Sequence, residues 1–207
     1  MTRLKGCYIS LWDLEIDKKL MIHPHDCTVT CVRFVGQNSE YLLSIDSGYK
    51  PSIFITEWQS MTRIHQIYLP VSKDNQKVVS FELTYCHKTN IIIIVANYKD
   101  HYSLSLWDFK ADNLALLASN KEESQEICLG VHVFDDPKST FFAVAEKKTI
   151  KYWRYFNQQL ELLHRIHIKE EIVDTAVSNL TQFLLFTTKQ GRLYIINKEV
   201  RKQYFWV

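Results

Sequence analysis

An all-β chain built from repeated units of four antiparallel strands is the fold this sequence predicts. Three observations predict it. Trp12, Trp58, Trp107 and Trp153 recur at gaps of 46, 49 and 46 residues. The residues leading to them alternate and are rich in β-formers: Tyr8-Ile9-Ser10-Leu11-Trp12-Asp13, Ser52 to Trp58, Tyr102-Ser103-Leu104-Ser105-Leu106-Trp107-Asp108, and Thr149 to Arg154. The apolar runs are short, rich in Val, Ile, Phe and Tyr, and separated by turn clusters, which is strand punctuation and not helix punctuation. A period of about 40–50 residues ending in Trp-Asp marks a propeller blade, with the Trp-Asp closing the third of four strands, a to d.

The elements follow in order. Cys7 to Asp13 reads as a strand c with Ile9 and Leu11 on one face, and Lys18 to Ile22 as its strand d. His23-Pro24-His25-Asp26 reads as a loop, by its proline and polar cluster. Residues 28–34, 41–45, 52–58 and 63–69 are strands a to d of the first complete blade, with Gly36 to Ser39 as a turn. Residues 78–83, 91–96, 102–108 and 114–118 repeat the order. The unbroken Ile91-Ile92-Ile93-Ile94-Val95 run is what a strand buried on both faces looks like. Residues 127–134, 141–145, 149–155 and 160–166 form the third blade, with Asp135 to Lys138 as a turn between its first strands. Only the stretch 159–171 has a helix-like composition, too short to change the fold class. Residues 172–177, 183–188, 192–196 and 204–207 form the fourth, where Ile196 stands in the tryptophan position.

This gives a half blade at 1–22 and blades at about 27–69, 77–119, 126–167 and 171–207, a partial propeller of about four and a half blades. Strands a and b of the first blade are missing from the count. The expectation is a fragment or isoform of a longer propeller protein, with an apolar association surface wherever a blade face is left uncovered.

Several stretches look like WD-repeat strands: Leu11-Trp12-Asp13-Leu14, Leu104-Ser105-Leu106-Trp107-Asp108 and Lys148-Thr149-Ile150-Lys151-Tyr152-Trp153. The resemblance covers nearly the whole chain. It implies a WD-repeat β-propeller and says little about function, because such repeats serve unrelated processes. The chain departs from the ideal repeat. No Gly-His dipeptide precedes strand a; His25-Asp26 and Asn75-Gln76 stand nearby instead. The Asp usually found five residues before the tryptophan is replaced by Cys7, Ile53, Tyr102 and Lys148. The His–Ser/Thr–Trp–Asp hydrogen-bond network of ideal blades is therefore expected to be incomplete.

A narrower resemblance runs through Leu42 to Ile55. Its Lys50-Pro51-Ser52-Ile53 turn into strand c resembles the divergent WD-repeat propellers of cilia- and flagella-associated proteins. That likeness implies a structural or tethering component of the ciliary or flagellar axoneme, in the cytoskeleton. The Ser47-Gly48-x-x-Pro51 turn is also similar to WD-repeat scaffolds of the kinase-pathway and centrosomal type, which implies a cytoplasmic signalling or centrosomal scaffold.

Composition bounds the chemistry. The chain of 207 residues carries a net charge of only +2, so whole-molecule electrostatics point to neither nucleic acid nor membrane. No run approaches the roughly 18 apolar residues of a membrane span, and the N-terminus lacks the apolar core of a signal peptide. Five cysteines with no CxxC read as reduced thiols. In an extended strand Cys27 and Cys31 lie roughly 13 Å apart, too far for one disulfide or one zinc. No nucleotide loop, GxSxG or HExxH is present, and no nucleophile and base stand out. His23-x-His25-Asp26 is the nearest thing to a metal cluster, reads as a solvated loop, and lacks further ligands at zinc spacing. His164 and His167 read as surface residues, and the four blade tryptophans as core. The expectation is a non-enzymatic interaction scaffold with no cofactor and no metal.

One pattern suggests a binding edge. The loops joining strands b and c, at 46–51, 97–101, 146–148 and 189–191, each carry lysine: Lys50, Lys99, Lys147 with Lys148, and Lys189. Tyr49, Tyr98 and His101 accompany them. In a propeller these loops share one rim, and lysine beside aromatic rings suits an acidic protein surface such as a tubulin tail or an axonemal complex.

Overall fold

The computed structural model describes residues 7–15, 17–48, 50–69, 77–110, 113–124, 126–134, 136, 138–178, 182–197 and 203–206. None of these is helical. A two-stranded hairpin comes first: β1 Cys7–Asp13 and β2 Lys18–His25. Four four-stranded sheets follow. Sheet I is β3 Val29–Val35, β4 Tyr41–Asp46, β5 Ser52–Glu57 and β6 Thr62–Tyr68. Sheet II is β7 Ser80–Cys86, β8 Ile91–Asn97, β9 Tyr102–Lys110 and β10 Asn113–Glu122. Sheet III is β11 Cys128–Phe134, β12 Thr140–Glu146, β13 Thr149–Phe156 and β14 Gln159–His167. Sheet IV is β15 Ile172–Ser178, β16 Phe183–Thr188, β17 Leu193–Asn197 and β18 Gln203–Trp206. Within each sheet every strand pairs antiparallel with its neighbour in sequence.

The turns follow from local chemistry. Gly36 takes φ 94°, and the Ser39 amide donates to the Gly36 carbonyl at 3.3 Å, closing the β3–β4 turn. A side chain at Gly36 would meet the Glu40 carboxylate as well as an unfavourable backbone. Asn157 and Gln158, both at positive φ, make the two-residue loop between β13 and β14 whose twist suits a tight hairpin.

The sheets pack face on face in series. Leu43, Ile45, Ile53 and Ile55 of sheet I share one core with Ile92, Ile94, Trp107 and Phe109 of sheet II. Ile93, Val95, Leu104 and Leu106 of sheet II pack with Phe142, Val144 and Trp153 of sheet III. Ala143, Ala145, Ile150 and Tyr152 of sheet III meet Leu184, Phe186 and Ile196 of sheet IV. The hairpin joins sheet I through a smaller cluster of Ile9, Ile22 and Leu42. The first strands also run beside one another, β3 by β7, β7 by β11 and β11 by β15. The second strands of sheets II and III are sandwiched between two sheets, so β8 and β12 are buried at every residue. That is why Ile91 to Val95 is continuous and not alternating.

Two expectations are corrected. The backbone of β2 stays in the ladder through His25, with Cys7 opposite His25, so His23-Pro24-His25 is strand and not loop. Proline is tolerated there because a register irregularity between Cys7 and Ile9 interrupts the pairing. The strand expected over 160–166 forms as β14, and its Leu160 and Leu162 pack against the core between sheets II and III. The tryptophans are not uniformly core: Trp107 and Trp153 are 5% and 3% exposed, while Trp12 is 59% exposed. Trp107 and Trp153 face the sheet preceding their own, and among the described residues none packs over Trp12 in that way. Trp58 lies just past β5, half-buried, and its indole N–H donates to the Ser39 carbonyl at 2.7 Å.

Candidate functional site

The second strand of each sheet ends in a buried polar residue: Asp46, Asn97, Glu146 and Thr188. A buried polar group is costly without partners, and each of the four has them. Asp46 is the most elaborate. Its carboxylate accepts from Ser52 Oγ at 2.5 Å, from the Gly48 amide at 2.9 Å and from the Ser52 amide at 3.2 Å. His25 Nδ1 lies 2.8 Å from Asp46 Oδ2, and His25 Nε2 lies 2.8 Å from Ser44 Oγ. The edge of the Phe54 ring meets His25 at 4.3 Å between centroids. Burial pushes the Asp46 carboxyl up, but the donors from Ser52, Gly48 and His25 outweigh it and hold it below the usual range. Burial dominates at His25 and keeps the imidazole below its ordinary value, although Asp46 pulls it up.

The order Ser44–His25–Asp46 has the hydrogen-bond sequence of a nucleophile, base and orienting acid. Its setting differs. Ser44 is 1% exposed in the middle of β4, between the hairpin and the rest of sheet I, so a substrate carbonyl has no route to its hydroxyl. The cluster ties β2 to sheet I. In sheet I a histidine, a serine and an acid are joined, while the Trp58 indole donates to the Ser39 carbonyl and takes no part. The acid comes from the end of β4 and the histidine from β2, and Phe54 occupies the aromatic place beside them.

Asn97 and the Glu146 group tie sheets together by different chemistry, and Thr188 ties β16 to the segment that leads into β15. Asn97 Nδ2 donates to Ser80 Oγ and to the Cys128 carbonyl, each at 2.9 Å, and its Oδ1 accepts from the Cys128 amide at 2.8 Å. That joins sheet II to sheet III. Glu146 lies 2.6 Å from Lys151 Nζ, which also reaches Glu122 of sheet II at 2.9 Å and the Tyr102 hydroxyl at 3.2 Å. Burial, with Glu146 beside it, pushes the Tyr102 hydroxyl far above its ordinary value, so it stays protonated. Thr188 Oγ1 donates to Glu170 Oε2 at 2.6 Å, and Glu170 also pairs with Arg192.

The loops beyond these four residues hold the lysines. Lys50, Lys99, Lys147, Lys148 and Lys189 are all exposed. Lys147 and Lys189, from sheets III and IV, converge on the Glu171 carboxylate at 3.9 and 3.5 Å. The Ile172 amide donates to the Lys147 carbonyl at 2.6 Å, and the Lys189 amide to the Glu171 carbonyl at 2.8 Å. The Lys148 amide donates to Glu126 Oε2 at 2.9 Å. Leu69, whose amide donates to the Pro51 carbonyl, shares a core with Tyr98. These contacts gather the four loops at one end of the stack. Tyr98 and His101 differ from the lysines. Both are buried, their rings stack at 4.5 Å with planes 9° apart, and the Tyr98 amide donates to the His101 carbonyl at 2.8 Å. They form the post on which Lys99 stands and present no ring to a partner. Tyr49 lies outside the described residues.

No family model matches the chain, and no curated protein is significantly similar to it.

Among the described residues no group of three or more histidine, cysteine or acidic side chains is placed to hold a metal ion. His25, singled out with Asp26 in the sequence, is buried and engaged with Asp46 and Ser44, while Asp26 is exposed. The cysteines are free thiols; Cys86 and Cys128 are buried and Cys27 is exposed. Burial pushes the Cys31 thiol up to about 11, away from the thiolate form that a metal would need.

Local sequence marks Asp46, Asn97, Glu146 and Thr188 only faintly. Their shared signal is positional. Each is the first polar residue, or the second of two, after an apolar run that a double-faced strand requires. The tryptophan period marks the third strand and not the end of the second.

Proposed function

We propose that the chain is a segment of WD-type β-propeller that works as a non-enzymatic interaction scaffold, binding an acidic protein surface along its lysine-bearing loop edge. The observation that carries this reading is the convergence of the b–c loops at one end of four successively packed sheets, with five lysine side chains exposed there. The in-line order of strands, the polar cap at the end of every second strand, and Trp107 and Trp153 facing the preceding sheet support the blade reading. Lysines held on short loops over a rigid sheet lose little freedom on binding, and an acidic partner of matched spacing gains both rate and register from them. The setting favoured by the Lys50-Pro51-Ser52-Ile53 turn is the ciliary or flagellar axoneme, with a tubulin tail as the kind of acidic segment that fits. A cytoplasmic signalling or centrosomal scaffold is the second reading, on the Ser47-Gly48-x-x-Pro51 turn.

The test is charge reversal. Replacing Lys50, Lys99, Lys148 and Lys189 by Glu should abolish binding of a glutamate-rich tubulin-tail peptide and leave the circular dichroism unchanged. Binding by the parent chain should weaken steeply with added salt. Undiminished peptide binding by the reversed variant, or no binding by the parent chain at low salt, would remove the lysine edge from consideration. A fluorescent fusion expressed in ciliated cells separates the two settings: axonemal signal favours the first, and centrosomal or diffuse signal the second.

A further inference from the structure

The lysines of the loop edge are not equivalent. Lys147 and Lys189 already share one carboxylate, that of Glu171, at 3.9 and 3.5 Å. Lys50, Lys99 and Lys148 are exposed and make no side-chain ion pair among the described residues. The acids closest to them are engaged elsewhere. Asp100, next to Lys99 in sequence, lies 2.7 Å from His101 Nδ1, and Glu126 accepts from the Lys148 backbone amide at 2.9 Å.

Glu171 is held from both sides. It ends the segment 168–171 between β14 and β15. Ile168 at the start of that segment and Ile172 just after it are buried in the core between sheets III and IV. On the sheet III side, the Ile168 amide donates to the Lys148 carbonyl at 2.7 Å and the Ile172 amide to the Lys147 carbonyl at 2.6 Å. On the sheet IV side, the Lys189 amide donates to the Glu171 carbonyl at 2.8 Å. The adjacent Glu170 is taken up by Thr188 and Arg192. The backbone thus presents the Glu171 carboxylate between the b–c loops of two consecutive sheets, where a lysine from each reaches it.

We infer that Glu171 is a built-in competitor for the acidic partner, occupying within the chain the place between two loops that a partner's carboxylate would take. Given the proposed lysine edge, on which this rests, the open part of that edge is Lys50, Lys99 and Lys148, and the Lys147–Lys189 pair is latent. A carboxylate on an anchored segment meets these lysines with little further ordering, so it competes at a high effective concentration. Its two contacts are long and solvent-exposed, hence individually weak. That is what a displaceable occupant requires, in contrast to Asp46, whose buried carboxylate is fixed by four donors. A partner segment dense in acids engages the open lysines first and then exchanges with Glu171 for the latent pair.

Fluorescence anisotropy of the glutamate-rich tubulin-tail peptide at low salt tests it. Glu171→Gln should tighten binding about two- to fivefold, the worth of exposed ion pairs released to another acid, with unchanged circular dichroism. Loss of a negative charge also acts through the general field, and a double-mutant cycle separates the two effects. Lys147→Met with Lys189→Met should weaken binding at least about twofold more in the Glu171→Gln background than in the parent chain, whereas a field effect is additive and gives equal losses in both. If the paired lysine variant loses the circular dichroism of the parent chain, Lys189→Met alone takes its place. In a parent chain that binds the peptide, equal losses in the two backgrounds, or no gain from Glu171→Gln, would overturn the role of Glu171 and leave the lysine edge standing. No binding by either the parent chain or Glu171→Gln would remove the lysine edge itself, and the competitor with it.

Discussion

His132 Nε2 lies 2.7 Å from Thr175 Oγ1, across the junction of sheets III and IV. The hydrogen bond needs a neutral imidazole or tolerates one, and the surroundings enforce it. Burial lowers the His132 pKa from 6.5 to about 4; Asp174 pulls it up and Arg33 pushes it down. The unfolded chain binds the proton at higher pH than the folded one. Stability from this residue is therefore complete above about pH 6.5 and declines as pH falls toward 4, by about 3 kcal/mol over the window. Urea unfolding at a series of pH values should show that decline, and His132→Gln should flatten it. An equal slope in the variant would assign the decline to other groups.

Gly130 bears on the same junction. A side chain there would place its Cβ 2.4 Å from Thr175 Oγ1 and 2.9 Å from His132 Nε2. Gly130→Ala should therefore break the His132–Thr175 bond and lower the unfolding free energy by about 1–3 kcal/mol. Gly191, with open space around its Cβ position but φ 78°, is a different case whose cost comes from backbone strain alone.

Removal of the Asp46 carboxylate leaves His25 Nδ1, Ser52 Oγ and the amides of Gly48 and Ser52 without their acceptor. Asp46→Ala should cost about 3 kcal/mol or more, by urea denaturation. Because the cluster holds β2 on sheet I, hydrogen exchange in β1 and β2 should accelerate more than in sheets II to IV. Uniform acceleration throughout would show that the hairpin is not separately held.

Lys151 is the buried cation among Glu146, Glu122 and the Tyr102 hydroxyl at the contact between sheets II and III, while the exposed Arg165 reaches Glu122 from outside at 3.8 Å. Lys151→Met leaves two carboxylates facing each other in a poorly solvated place and should destabilise by about 3–5 kcal/mol. Adding Glu146→Gln to it should return part of the loss, since neutralising one acid relieves the other. A double variant as unstable as the single would mean that packing of the lysine stem, and not charge, is what matters.

Trp153 and Trp12 separate the motif from its setting. Trp153→Ala should cost about 3–5 kcal/mol as a core truncation. Trp12→Ala, at a position 59% exposed, should cost under about 1 kcal/mol in dilute solution.

Much of the fold was legible because strand chemistry is local. Ile91 to Val95, Tyr102 to Asp108 and Thr149 to Tyr155 carry their own length, period and stops, and each forms its strand in the expected order. The boundaries slipped where tertiary pairing extends a strand past its own signals, as at His25 and at Lys121 in β10. Of the proposed edge, the lysines are where their loops place them, on the surface. Tyr98 and His101 were misjudged because a short loop can fold its two rings onto each other and into the core, and no local signal distinguishes that from display. The Asp46 cluster was beyond reach for a plainer reason. Its members lie 21 residues apart between His25 and Asp46, and only the packing of the hairpin on sheet I brings them together.

The sandwiching of β8 and β12 has a consequence for how the molecule comes apart. A strand that is apolar on both sides has no solvent-compatible state while its neighbours are in place. Loss of sheet II would strip cover from sheets I and III at once, whereas loss of sheet IV bares only one surface. Opening should therefore begin at the ends and travel inward, giving amide protection that peaks in sheets II and III and falls away toward β1 and β18.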